Sequence, residues 1–116
     1  MDKLLVILRN PPYGTTNAAE AVRHAGGASG FEYKPILYLI DGGVCSAKKN
    51  QNAGDTGFSS VGESIELMSD EMEIYACQNS IREFGLNADD LIEEVKIDDG
   101  TVLKESLKNA QSIMIF

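Results

Sequence analysis

Several absences narrow the reading of this sequence before any motif does. No apolar run approaches the ~20 residues of a membrane-spanning helix, so no membrane partner is expected. The first apolar stretch, Leu4-Leu5-Val6-Ile7-Leu8, is too short for a signal peptide and runs into Arg9-Asn10-Pro11-Pro12, so it reads as a strand. Basic charge is scarce: ten Lys and Arg face eighteen Asp and Glu, for a net charge of −8. With no basic cluster beyond Lys48-Lys49, a phosphate backbone would be repelled, so nucleic acid is not expected as a direct ligand. One histidine and two widely spaced cysteines make no zinc pattern. There is no G-x-S-x-G elbow, and nothing positions His24, in a predicted helix beside Arg23, as a base. The glycines at 26, 27, 42, 43, 54 and 57 spell neither a phosphate-binding loop nor a dinucleotide fingerprint. Neither a metal nor a cofactor is expected, and no internal repeat is visible.

What is present is an ordinary globular composition of 116 residues, 43% of them hydrophobic. That length fits one domain spanning 1–116, with enough burial for a core without disulfide staples. Five-residue apolar runs bounded by charge or proline suit strands buried on both faces. Leu4–Leu8, Pro35–Ile40, Glu73–Ala76, Val95–Ile97 and Ser112–Phe116 are read as strands. Between them, Asn17 and Glu20 open a helix with a narrow stripe of Ala18, Ala19, Val22 and Ala25, ending at Gly26-Gly27. Val44 to Gly57 reads as a short helix grading into an irregular loop. Phe58, Val61, Ile65 and Met68 have the spacing of a helical core face. Ser80 with Glu83 is a capping-box candidate, and Gly85 a helix stop. Asn87 with Asp90 reads as another helix start carrying Leu91 and Ile92, and Thr101–Ala110 as the last helix. The pairs Asp89-Asp90, Glu93-Glu94 and Asp98-Asp99 read as solvated helix ends and turns. Alternation of strand and helix predicts an α/β protein: a five-stranded, mainly parallel sheet in a three-layer α/β/α arrangement.

Parallel strands end on one side, where ligands and reactive groups collect. Three strand-end loops meet there: Asn10 to Thr16, Asp41 to Gly57, and Cys77 to Ser80. This brings Tyr13, Gly14 and Thr15 near Cys77, with Cys45 in the neighbouring loop. A cysteine just before a helix feels about half a positive charge from the helix dipole, which favours the thiolate. The effect fades within one turn, so it is strong if the helix begins at Gln78 and weaker if Ser80 is the cap. The other reading of Cys77 is a small buried hydrophobe, as free cysteines commonly are. Cys45 precedes Lys48 and Lys49, whose charge also favours a thiolate, though a loop cysteine without function fits as well. A Cys45–Cys77 disulfide is left open by the sequence. Two cysteines without a secretory signal point to a reducing compartment.

Pro12-Tyr13-Gly14-Thr15 after the first strand, Asp41-Gly42-Gly43-Val44 with Ala47 and Lys48 after the second, and Cys77 after the third with Gly85 beyond it resemble the DsrE/DsrF-like family, its TusD-like members in particular. The resemblance spans the whole chain. It implies a three-layer α/β/α fold in a cytoplasmic protein that forms homotrimers or hexamers. It also implies a sulfur relay, in which Cys77 takes a sulfur as a persulfide from a protein donor and passes it to a protein acceptor. Tyr13, Gly14, Thr15, Gly43, Gln78 and Asn79 would line its pocket, and Cys45 is a possible second thiol outside the family motif. Gln78-Asn79-Ser80-Ile81 is more polar than the alanine-rich run of TusD-like proteins. Two other functions are compatible with the fold: a non-catalytic binding or assembly subunit whose cysteine is only core, and, by fold analogy, a pocket for a nucleotide or other anion at the same strand ends.

Overall fold

A computed structural model describes residues 4–11, 17–29, 35–48, 65 and 72–116. Among them, strands β1 (Leu4–Leu8), β2 (Ile36–Leu39), β3 (Glu73–Cys77), β4 (Lys96–Asp98) and β5 (Ser112–Ile115) form one sheet in the order β4-β3-β2-β1-β5. Every neighbouring pair is parallel. Helix α1 spans Asn17–Ser29, a 3-10 segment spans Asp41–Ala47, α2 spans Gln78–Glu83 and α3 spans Thr101–Asn109.

The alternation of side chains along each strand divides the sheet into two faces. On one face Val6, Leu8, Leu37, Leu39, Ile74 and Ala76 form the larger core. Ala21, Val22 and Ala25 of α1 cover it together with Val44, Ile81, Leu91 and Ile92. Full burial of a Leu or Ile side chain contributes ~1.5–3 kcal/mol, so this face holds most of the packing energy. On the other face Leu5, Ile7 and Tyr38 are buried, with Leu103 of α3, Ala110, Tyr75 and Cys77 packed against them. Helices therefore lie on both faces, as the strand-helix alternation predicts.

Some element boundaries differ from the sequence reading. Helix α1 continues through Gly26 and Gly27 to Ser29. A glycine costs a helix only ~1 kcal/mol relative to alanine, less than the burial of Ala21, Val22 and Ala25 returns. Asn87 and Asp90 do form a local cap, the Asn87 N–H donating to Asp90 Oδ2 at 3.0 Å. The element they start is only a 3-10 turn, Ala88–Asp90. Leu91 and Ile92 leave the helical path because their backbone is bonded elsewhere. Leu91 bridges Lys48, and the Ile92 N–H donates to the Ala47 carbonyl at 2.7 Å. Of the helix expected from Phe58 to Met68, Ile65 is helical and fully buried. The rest, and the loop expected up to Gly57, lie outside the described residues.

Candidate functional site

Cys77 is the last residue of β3 and the N-cap of α2, with extended backbone at φ −68° and ψ 123°. The helix thus begins at Gln78. Ser80 lies inside it rather than capping it, and its Oγ accepts the backbone N–H of Asp41 at 2.8 Å. That bond ties the loop after β2 to the first turn of α2. The helix ends as Gly85 suggests: Gly85 adopts φ 67°, its N–H reaches the Arg82 carbonyl at 3.1 Å, and the Leu86 N–H reaches Ile81 at 3.0 Å. These two bonds make a Schellman stop, in which a left-handed glycine satisfies the last carbonyls.

The strand-end loops meet as the parallel topology requires. Leu39 pairs with Ala76 and Leu8 with Leu39, so the ends of β1, β2 and β3 are adjacent. Asp41 turns the chain out of β2 in the left-handed region at φ 53°, a conformation aspartate tolerates better than most residues. Its carboxylate accepts Arg9 Nε at 3.2 Å. Gly43 then packs onto β1: a Cβ there would stand 2.0 Å from the Leu8 carbonyl oxygen. Gly43 is buried, and the close backbone approach is what requires glycine. Gln78 is half-buried and Asn79 exposed at the start of α2. Tyr13, Gly14 and Thr15 lie outside the described residues.

Both cysteines are free and half-buried, so the disulfide left open by the sequence is not formed. Cys45 sits within the 3-10 segment. Burial pushes its thiol above the ordinary range, against a smaller opposing pull from Lys48. The lysine effect expected from the sequence is thus present but outweighed. His24 is held at its own helix, with Nδ1 2.7 Å from the Glu20 carbonyl oxygen and its ring 5.3 Å from that of Phe116.

Asp98 departs most from the sequence reading. It is not a solvated turn residue: it is 4% exposed and is the register partner of Cys77 on the neighbouring strand. The Tyr38 hydroxyl donates to its Oδ2 at 2.6 Å. The first turn of α3 completes its shell, Val102 N–H donating to Oδ1 at 3.1 Å and Leu103 N–H to Oδ2 at 3.3 Å. Burial alone would raise the Asp98 pKa. The hydrogen bonds from Tyr38, Val102, Leu103 and Gly100 overcome it and hold the carboxylate below its ordinary range. The same pair drives Tyr38 well above the usual tyrosine range, through burial first, then the bond to Asp98 and the charges of Asp98 and Cys77. Asp99 is the solvated partner of the pair, accepting the Thr101 N–H and hydroxyl. The sequence signal for Asp98 is an Asp-Asp-Gly-Thr step into a helix, where the carboxylate that ends the strand receives the helix amides.

Among the described residues, no group of three or more His, Cys, Asp or Glu is placed to hold a metal ion. A cleft of about 370 Å³ lies along β4, lined by residues including Leu91, Ile92, Val95 and Ile97, and Cys77 is not one of them. No described helix is long and apolar enough to cross a membrane.

Fold and site together define a parallel α/β protein that presents a half-buried cysteine where its third strand becomes a helix. The profile of the DsrE/DsrF-like family matches residues 2–116, and the chain belongs to that family. It is 32% identical over 118 residues to uncharacterized protein MJ0989 of Methanocaldococcus jannaschii, covering 98% of this chain and 99% of that one. It is 25% identical over 118 residues to a TusC homolog of Vibrio vulnificus, covering both chains completely. Among solved structures it resembles the YchN protein of E. coli with a TM-score of 0.90, at 19% identity and full coverage of both chains. The MTH1491 protein of Methanobacterium thermoautotrophicum matches with a TM-score of 0.72, at 15% identity over 98% of this chain and 99% of that one. At these identities the two structures speak to the fold alone.

Proposed function

We propose that this protein is a sulfur-relay protein in which Cys77 accepts and passes on a persulfide sulfur. The observation that carries the reading is the position of Cys77. It is half-buried at the strand-end edge and directly caps a helix that begins at the next residue. Membership of the DsrE/DsrF-like family and the likeness to a TusC homolog support it. In the forward step the Cys77 thiolate attacks the outer sulfur of a donor persulfide. A new bond forms between Cys77 Sγ and that sulfur, the donor's own sulfur–sulfur bond breaks, and the donor leaves as a thiolate. An acceptor thiolate then attacks the same outer sulfur and Cys77 is released. No net oxidation occurs in either step. Gly43 shapes the loop beside the thiol, and the Gln78 and Asn79 amides, with Tyr13, Gly14 and Thr15, would complete the pocket.

The same reading takes 1–116 as one domain working in the cytoplasm, where both thiols stay free, and assembling into homotrimers or hexamers. Exposed apolar residues on the edge strand β5, Ile113 at 44% and Ile115 at 63%, favour self-association. They also favour the second reading, a non-catalytic assembly subunit whose cysteine only packs. Incubation with a cysteine desulfurase and cysteine separates the two: the relay predicts an adduct of about 32 Da on Cys77 in the mass spectrum. An adduct that persists in Cys77→Ser, or none in the unaltered chain, would overturn the relay. The assembly reading predicts that Cys77→Ala changes stability and leaves association intact.

A further inference from the structure

We propose that Asp98 sets the charge specificity of the Cys77 site, repelling small anionic sulfur compounds of the thiosulfate class. The thiol is left to sulfur presented on a protein surface that brings its own positive charge. This deepens the relay reading and rests on it. Three placements carry the inference. Cys77 and Asp98 are register partners on adjacent parallel strands, so their side chains leave the same sheet face about 5 Å apart. Asp98 is buried and its position is fixed by the Tyr38 hydroxyl and the amides of Val102 and Leu103. Cys77 packs against the buried cluster of Leu5, Ile7 and Tyr38, and the Tyr38 hydroxyl donates to Asp98, which ties the carboxylate and the sulfur to one cluster.

A buried, immobile charge is screened far less by salt than a surface one. The amides at the start of α3 offset only part of it, since a helix N-terminus is worth about half a unit charge against the full unit on the carboxylate. Exposed Asp99 next in sequence adds charge of the same sign. Against a singly charged reagent at this range, the expected bias is on the order of tenfold in rate. Thiosulfate carries two charges and is disfavoured more strongly. In its reaction the sulfane sulfur would bond to Cys77 Sγ and sulfite would leave with the electron pair of the broken S–S bond, so both reactant and leaving group are repelled.

The test uses the full chain carrying Cys45→Ser, so that Cys77 alone reacts, with two methanethiosulfonates of similar size. One carries a trimethylammonioethyl group and the other a sulfonatoethyl group. The cation-to-anion rate ratio in the folded protein is compared with that of the same chain unfolded in urea. The expected result is a folded ratio on the order of ten times the unfolded one, falling severalfold in Asp98→Asn and persisting in Tyr38→Phe, which keeps the carboxylate. Asp99→Asn, an exposed change, should remove only a minor share, and it decides the matter if Asp98→Asn does not fold. Equal ratios in folded and unfolded chains overturn the proposal. So does a folded Asp98→Asn protein with an unchanged ratio, or an Asp99→Asn protein that has lost the whole effect. Because these reagents read charge and not sulfur transfer, a large ratio without a persulfide adduct sinks the relay alone. An adduct with a flat ratio sinks the Asp98 assignment alone.

Discussion

Replacing Tyr38 by phenylalanine removes one oxygen from the centre of the second sheet face and tests the Tyr38–Asp98 pair directly. Tyr38 is completely buried, and its hydroxyl donates to Asp98 at 2.6 Å. A hydrogen bond to a charged partner contributes ~1.5–3 kcal/mol. Asp98 is not orphaned by the change, because the amides of Val102 and Leu103 remain, so the lower part of that range, about 2 kcal/mol, is expected at pH 7. The pH dependence provides a second, sharper signature. Tyr38 has a folded pKa raised above its unfolded value of about 10. Its stabilisation is therefore fully present below pH ~10 and is lost as pH rises toward the folded value, because only the unfolded chain has released the proton. Urea unfolding of both proteins should show a gap of about 2 kcal/mol at neutral pH. Above pH ~10 the gap should shrink by up to about 1.4 kcal/mol per pH unit. A gap under about 0.5 kcal/mol at pH 7, or one that stays constant between pH 7 and 11, would refute the reasoning.

Asp98→Asn has the opposite pH signature. The folded pKa of Asp98 is depressed, so its contribution is present above the unfolded value of about 3.9 and vanishes as pH falls through the folded one. The stability gap to the unaltered protein should be open at pH 7 and close in acid denaturation curves below pH ~4. Gly43→Ala puts a methyl 2.0 Å from the Leu8 carbonyl oxygen, and since both partners are backbone, a loss of about 3 kcal/mol or more is expected in the same assay. In a Cys77→Ser protein, Cys45 should alkylate severalfold more slowly at pH 8 than in the urea-unfolded chain, since burial raises its pKa. Equal rates would show that the 3-10 segment does not shelter it.

The class of fold was legible because its signal is periodic. Runs such as Leu4–Leu8 and Ile36–Leu39 are apolar on both faces, and only a covered parallel sheet uses such strands. Cys77 could be placed at the strand-end edge for the same reason. Other features were hidden because they depend on pairing across the chain. Nothing local to Leu91 and Ile92 says that Lys48 and the Ala47 carbonyl will pair with them. Ser80 looked like a cap because capping residues are recognised by spacing, yet its hydroxyl is occupied by a backbone N–H 39 positions away in sequence. Asp98 was hardest to see. As half of an acidic pair before a glycine it has the composition of a solvated turn, and only the register with Cys77 and the arrival of Tyr38 from β2 turn it into a buried charge.

The strand order also accounts for the thin cover over the cysteine. From β1 to β4 the chain steps one strand at a time in a single direction. Right-handed crossovers put such connections on one face, and their described residues in α1, with Val44, Ile65, Ile81 of α2, Leu91 and Ile92, pack there. Only the return from β4 to β5 runs the other way, and the same handedness sends α3 to the opposite face. Among the described residues, one helix of nine residues covers that face. Tyr38, Leu5 and Ile7 beneath it are buried, while Tyr75 and Cys77 to one side are half-covered and Ile113 and Ile115 to the other are exposed. A side chain on the larger core face at the same level of β3, Ala76, is fully buried. Had the period-2 register of β3 been shifted by one, the thiol would lie there, out of reach of any partner. The partial exposure of Cys77 thus follows from topology and register, and β4 delivers the buried Asp98 to the same face.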